Sequence, residues 1–359
     1  MDAALQRDYW PTTEWREAAP QDMALDASLL TQMNSYVSEH LPGMNGLLLV
    51  RHGYLVFEQY YQGFAQSSYN NISSATKSVV SMLVGIALGQ GRLSLDQHML
   101  EFFPALAVQE KDPRKHAITL RHLLSLQTGF VKLMPDKIWL DPVRLALERP
   151  MERQPGEEFF YDNLGVDILS AILSRVTGKS AAAFADETLF KTLGVWRDAA
   201  ARFTWHNDPQ GAHTWHEYGS WDEKEGYLWK VDPQGYSTGS YGAHFTAREM
   251  AKLGYLYLNQ GRWDGEQVVP APYVQDSTRE QSEGGPPVGT AYGYLWWLAQ
   301  HENHAAFFAS GFGGKLIYVF PDLDLVVVTI ASSERGKSNP HQSKDILALI
   351  PRFILPAVL

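Results

Sequence analysis

Hydrophobic periodicity divides this chain into three parts, and no other feature restricts its fold as strongly. Residues 26 to 40 space their apolar side chains for a helix behind a cap at Asp26. Residues 46 to 61 then read as two strands about a His52-Gly53 turn. Near the other end, Ala305 to Ser310, Lys315 to Phe320 and Leu325 to Ala331 have strand character. A glycine-rich bend and the turn Pro321-Asp322-Leu323-Asp324 join them, and a helical stretch around Lys344 to Phe353 follows. Consecutive hairpins make antiparallel pairs. Between the ends the period is helical over Thr76 to Gln90, Leu120 to Gln127, Leu164 to Val176 and Ala181 to Leu193. This segregation predicts an α+β fold, an antiparallel sheet flanked by helices with an inserted, mostly helical domain. The expected sheet domain takes residues 1–72 and 245–359, and the expected helical domain residues 73–244. A cleft between two such lobes is a common ligand site.

Composition narrows the function. With 359 residues, 45% of them hydrophobic, there is ample material for a packed core. A net charge of -10 lacks the basic footprint that phosphate backbones require, so no nucleic-acid partner is expected. The absence of cysteine excludes disulfides, thiolate metal sites and a cysteine nucleophile. No apolar run reaches the length of a membrane span, so no membrane role is expected either. Acidic residues near the N-terminus and the lack of an apolar leader make a cytoplasmic location the expectation, barring a presequence removed from the chain.

Residues Phe203 to Tyr241 carry four tryptophans, three histidines and many turn formers without a sustained period. They read as a long ordered loop that either serves the function or packs tryptophans over a core edge. Its histidines His206, His213 and His216 lack the H-E-x-x-H spacing, as does His301-Glu302-Asn303-His304, so no metal is expected. Gly178-Lys179-Ser180 and Gly336-Lys337-Ser338 have Leu173 and Ala331 where a phosphate loop has its first glycine, and no cofactor is expected. Gly239-Ser240-Tyr241-Gly242 falls one residue short of a G-x-S-x-G elbow because position 238 is threonine.

The strongest chemical signal is Ser74-Ala75-Thr76-Lys77, the one S-x-x-K in the chain. Positions i and i+3 share a helix face, so the Ser74 hydroxyl and Lys77 amine approach each other at the start of an apolar helix. Serine is a weak nucleophile until a base takes its proton, and burial is what turns lysine into one. The helix N-terminus adds free amides suited to an oxyanion beside Ser74. The alternative is an ordinary helix cap by Ser73 or Ser74.

Two further stretches complete a catalytic set. Tyr161-Asp162-Asn163 precedes the helix beginning near Leu164, where a phenol can shuttle a proton and an amide can hold Lys77 and a substrate carbonyl. Tyr69-Asn70-Asn71 has the same pattern, and the later copy is preferred because a loop of the helical domain can face the sheet edge. A turn with an Asx cap is its plainer reading. Ala309-Ser310-Gly311-Phe312-Gly313-Gly314-Lys315 lies on an edge-like strand whose glycines would let a substrate lie close; a β-bulge or bend is the alternative.

In chain order these stretches resemble the serine β-lactamase and DD-peptidase superfamily, and most closely its esterase and 6-aminohexanoate-dimer hydrolase-like branch. The resemblance runs from about Leu47 to Ser332 and is supported by 89–96, 118–129 and 245–254. It implies that Ser74 is acylated, that Lys77 is its base partner, that Tyr161 shuttles the proton and that Asn163 is a hydrogen-bonding neighbour. It also implies substrate contact at Ser310 and Gly311, with an oxyanion hole from the Ser74 and Phe312 amides. Where such enzymes carry Lys-Thr-Gly or His-x-Gly, this chain has Ala309-Ser310-Gly311. The missing cation removes a receptor for the carboxylate of β-lactams and peptidoglycan peptides. A small-molecule ester or amide is therefore the expected substrate, with a β-lactamase or DD-peptidase, and a non-catalytic ligand-binding relative, as alternatives.

Overall fold

The computed structural model describes residues 7–133, 141–195, 229–232, 234–332 and 342–359. Helix α1 (Ala27–His40) starts where the Asp26 carboxylate accepts from the amides of Ser28 (2.7 Å) and Leu29 (3.4 Å). It buries Leu30, Met33 and Val37, one face at helical spacing. Strands β1 (Met44–Arg51) and β2 (Tyr54–Tyr60) follow as a hairpin. Its two turn residues, His52 and Gly53, have φ of +52° and +86°, the left-handed pair that matches the twist of flanking strands.

After the short strand β3 (Asn70–Asn71) comes helix α2 (Thr76–Gly89), in which every residue from Thr76 to Ala87 is buried. Its apolar composition suits that environment, and its hydroxyls are satisfied by neighbouring main chain. Ser78 Oγ donates to the Leu295 carbonyl at 2.7 Å and Ser81 Oγ to that of Tyr294 at 2.6 Å. Helix α3 (Asn163–Thr177) packs against α2, and Gly178 ends it at φ +71°. The helix expected over Leu120 to Gln127 stops at Leu124, since Leu126 adopts a left-handed φ of +56°. That expected over Ala181 to Leu193 is regular only to Ala185 and widens over Asp186–Phe190.

Strand β4 (His244–Phe245) pairs with β3, so the chain enters and leaves the helical region at one place. Helix α4 (Ala247–Leu258) is held by a reciprocal cap between Thr246 and Glu249. A two-residue ribbon, β5 (Arg262–Trp263) with β6 (Glu266–Gln267), precedes the remaining strands. These are β7 (Ser282–Gly285), β8 (Thr290–Tyr292), β9 (Trp297–His301), β10 (His304–Gly311), β11 (Lys315–Phe320) and β12 (Leu325–Ala331).

The main sheet has eight antiparallel strands in the order β2-β1-β12-β11-β10-β9-β8-β7. The first strand thus lies beside the last. Every residue of β1, β11 and β12 is buried, as continuous apolar runs covered on both faces should be. On one face α4 approaches closely, Gly254 admitting Val326 and Ile317 where a Cβ would lie within 3 Å of each. Helix α1 meets the C-terminal turn Ile350–Ile354, with Tyr36 and Phe353 5.4 Å apart. Periodicity missed β7, β8 and β9 because they are only four, three and five residues long, and Gly284, Gly285, Pro286, Pro287 and Gly289 break up the stretch that carries the first two. No described helix is long and apolar enough to cross a membrane.

Of the tryptophan-rich stretch, 203–228 lie outside the described residues, His206, His213 and His216 among them. Its end returns to the core: Trp229 is fully buried and its indole donates to the Thr238 carbonyl at 2.7 Å.

Candidate active site

Ser74 lies in the single tight turn Ser73–Ala75 that leads into α2. The residue before it, Ser73, takes a left-handed φ of +50°, which costs free energy for a residue with a Cβ. Asn71 holds that conformation, its Oδ1 accepting the Ser73 amide at 2.8 Å. The earlier tyrosine-asparagine pattern, 69–71, therefore supports the turn that carries Ser74, and the later copy meets Lys77. The alternative of a helix cap by Ser73 or Ser74 does not occur, since neither hydroxyl takes an amide at the start of the turn or of α2.

Lys77 is 1% exposed. Its Nζ is 3.1 Å from Ser74 Oγ, 2.8 Å from Asn163 Oδ1 and 2.9 Å from the Ser240 carbonyl. Three partners match the three donors of an ammonium. A neutral amine has two N–H groups, which Asn163 and Ser240 would take, leaving its lone pair for the Ser74 hydroxyl. The geometry thus serves both protonation states without moving a heavy atom.

The Tyr161 ring lies 4.7 Å from Lys77 Nζ and stacks on Trp297 at 5.6 Å. Phe159, two residues earlier on the same side of the extended segment, meets both Trp297 and Tyr292 edge-on. Between them, Phe160 lies near Lys132 and Glu158 pairs with it, on the other side. The wall beside Lys77 is therefore aromatic.

Asp162, between Tyr161 and Asn163, occupies the cap position of α3 but makes no capping bond. Its carboxylate instead takes a two-pronged ion pair from Arg149, at 3.1 and 2.6 Å, with both side chains buried. Asp167 lies one turn beyond Asn163 on the same face of α3. Its Oδ1 accepts from the amides of Gly239 (2.8 Å) and Ser240 (3.1 Å) and from Ser240 Oγ (3.2 Å). Burial pushes the Asp167 carboxyl up to about 6, against the opposing pull of those amides and of Lys77.

The strand side is built from main chain. The end of β10 lies so close to the turn that carries Ser74 that a Cβ on Gly311 would stand 2.1 Å from the Ile72 carbonyl oxygen. This juxtaposition brings Ser310, Gly311 and Phe312 beside Ser73–Ala75. Ala309 is buried opposite Ile317, and Phe312 projects outward, 60% exposed.

Sequence patterns did not single out Asp167, Asp162 with Arg149, or the carbonyl of Ser240. Ser240 stood inside a failed elbow motif, yet its side chain is not what matters. The available signal was a polar stripe, Asn163, Asp167 and Ser170, on an otherwise apolar helix. Each member reaches across: Ser170 Oγ donates to the Ser237 carbonyl at 2.5 Å. Among the described residues no group of three or more histidine, aspartate or glutamate side chains is placed to hold a metal ion. His301 meets the Tyr318 hydroxyl at 2.7 Å and His304 pairs with Asp322 at 2.6 Å.

Among known proteins, the 6-aminohexanoate-dimer hydrolase of Paenarthrobacter ureafaciens is 23% identical over 322 residues, 80% of this chain and 72% of that one. Esterase EstB of Burkholderia gladioli is 23% identical over 176 residues, covering 41% of this chain and 44% of the esterase. The solved structure of EstA from Arthrobacter nitroguajacolicus superposes with a TM-score of 0.67 at 15% identity, over 95% of this chain and 98% of that one. The beta-lactamase family model matches residues 17–349, and the chain belongs to the beta-lactamase family.

Proposed function

We propose that the protein is a serine hydrolase that cleaves carboxylic esters and small linear amides through an acyl-enzyme on Ser74. The observation that carries this reading is the Lys77 amine, buried and held by two fixed acceptors within 3.1 Å of the Ser74 hydroxyl. Ser74 Oγ attacks the carbonyl carbon while its proton passes to Lys77. The oxyanion gathers between the Ser74 and Phe312 amides, and Tyr161 relays the proton to the leaving alcohol or amine. Water then attacks the acyl carbon, its proton returning by the same groups, and the acid departs.

Two features support esters and small amides over lactams. No cation stands at Ala309 to receive a carboxylate, and the half-buried rings of Phe159 and Tyr161, backed by the buried Tyr292 and Trp297, suit an uncharged acyl group. Named relatives that hydrolyse a linear amide dimer or are esterases agree with that preference.

The test is turnover of p-nitrophenyl butyrate, the 6-aminohexanoate dimer and nitrocefin, with intact-mass labelling by a fluorophosphonate. The ester is expected to react fastest and the probe to add once, at Ser74. Ser74→Ala should lose both activities; normal ester turnover by that variant would refute the assignment, and preference for nitrocefin would restore the lactamase reading.

A further inference from the structure

The polar stripe on α3 reaches the base by a second route. Resting on the acyl-enzyme reading above, we propose that Asp167 is a positioning residue for Lys77, acting through the Gly239–Ser240 turn.

Lys77 takes one of its two fixed acceptors from a side chain and the other from main chain, the Ser240 carbonyl. A carbonyl is only as well placed as the turn that carries it. The amides of Gly239 and Ser240 both go to Asp167 Oδ1, so this one oxygen anchors the two residues on either side of the peptide that leads to the carbonyl. The turn also lies flush on α3, where a Cβ on Gly239 would stand 2.3 Å from the Val166 carbonyl oxygen. Ser240 is 1% exposed, so water is poorly placed to replace a lost acceptor.

Asn163 and Asp167 are four residues apart, on one face of one helix. A single rigid element therefore sets both acceptors of the amine, one directly and one through the turn. When the Ser240 carbonyl moves, the neutral amine has one N–H without a partner and turns about its last bonds. Its lone pair then leaves the Ser74 hydroxyl. Activation of the nucleophile suffers, while the strand-side groups that meet the substrate remain in place.

The experiment uses the full chain and follows the second-order rate of fluorophosphonate labelling at Ser74, together with kcat and KM for p-nitrophenyl butyrate. All variants are compared well below their lowest unfolding midpoint. Asp167→Ala is expected to slow labelling and kcat about 10- to 100-fold with KM within about threefold, the scale of a misplaced catalytic group. Asp167→Asn retains an acceptor at Oδ1 and should stay within about fivefold of the parent. Ser170→Ala frees the Ser237 carbonyl in the same segment and should label within about twofold.

Equal losses in Asp167→Ala and Asp167→Asn, or an equal loss in Ser170→Ala, would overturn the inference. Asp167→Glu keeps the charge but displaces the acceptor by one methylene and should label about tenfold more slowly. It decides the matter if Asp167→Ala does not fold, since a normal rate for Asp167→Glu would also overturn the inference. A parent protein that is not labelled at Ser74 refutes the acyl-enzyme reading itself. Unchanged labelling in Asp167→Ala refutes only the positioning role.

Discussion

On the lysine side of Ser74 the site is a set of buried side chains with assigned partners: Lys77 with Asn163 and Ser240, Asp162 with Arg149, and Asp167 with the 239–240 turn. On the strand side it is main chain, closely fitted glycine and one exposed ring, Phe312. The contrast follows from two tasks. A base must be dehydrated and kept in one orientation, which takes hydrogen bonds from several elements. A surface that receives an acyl group needs only amides at the right place, so its side chains are free to differ. Ala309, buried opposite Ile317, takes no part in the hydrogen bonds of the lysine side.

The contrast can be attacked first where it is strongest. Lys77→Met removes the proposed base but keeps most of the volume, and ester turnover should fall on the order of 10²- to 10⁴-fold. A variant within tenfold of the parent in steady-state assays would mean that the lysine side is structural only. Next in size is the anchor behind Tyr161. Asp162→Ala leaves the Arg149 guanidinium buried without its counter-charge, with an expected loss of about 3–5 kcal/mol in urea unfolding. A loss below about 1 kcal/mol would show that the segment is held by its aromatic packing instead. The smallest effect belongs to the other side. Phe312→Ala preserves the amide at 312, so KM for p-nitrophenyl butyrate should rise about three- to tenfold at nearly constant kcat, as fits the loss of an apolar contact. A hundredfold fall in kcat would place chemistry on the strand side and erase the distinction.

Local pattern was sufficient for much of the fold and for the pairing of Ser74 with Lys77. Continuous apolar runs and alternation locate β1, β2, β10, β11 and β12, and the Asp26 cap marks the start of α1, because each signal depends on neighbours in sequence. The three-residue spacing of Ser74 and Lys77 is likewise enough to bring hydroxyl and amine together on one helix. Strands β7 to β9 escaped because each is only three to five residues long, too short to show a period, so that their pairing is evident only from the neighbouring strands.

What sequence alone determined about this protein was thus the alternation of strand-rich ends with a helical middle, the helix that starts beside Ser74, and the types of group that could react. Only the tertiary structure decided which tyrosine-asparagine pattern meets Lys77, that Asp162 pairs with Arg149 instead of capping a helix, and that a carbonyl from residue 240 completes the lysine's shell. The physical reason is range. Hydrogen bonds between groups 72 and 163 positions apart leave no periodic trace in the chain, and a main-chain carbonyl carries no residue identity at all.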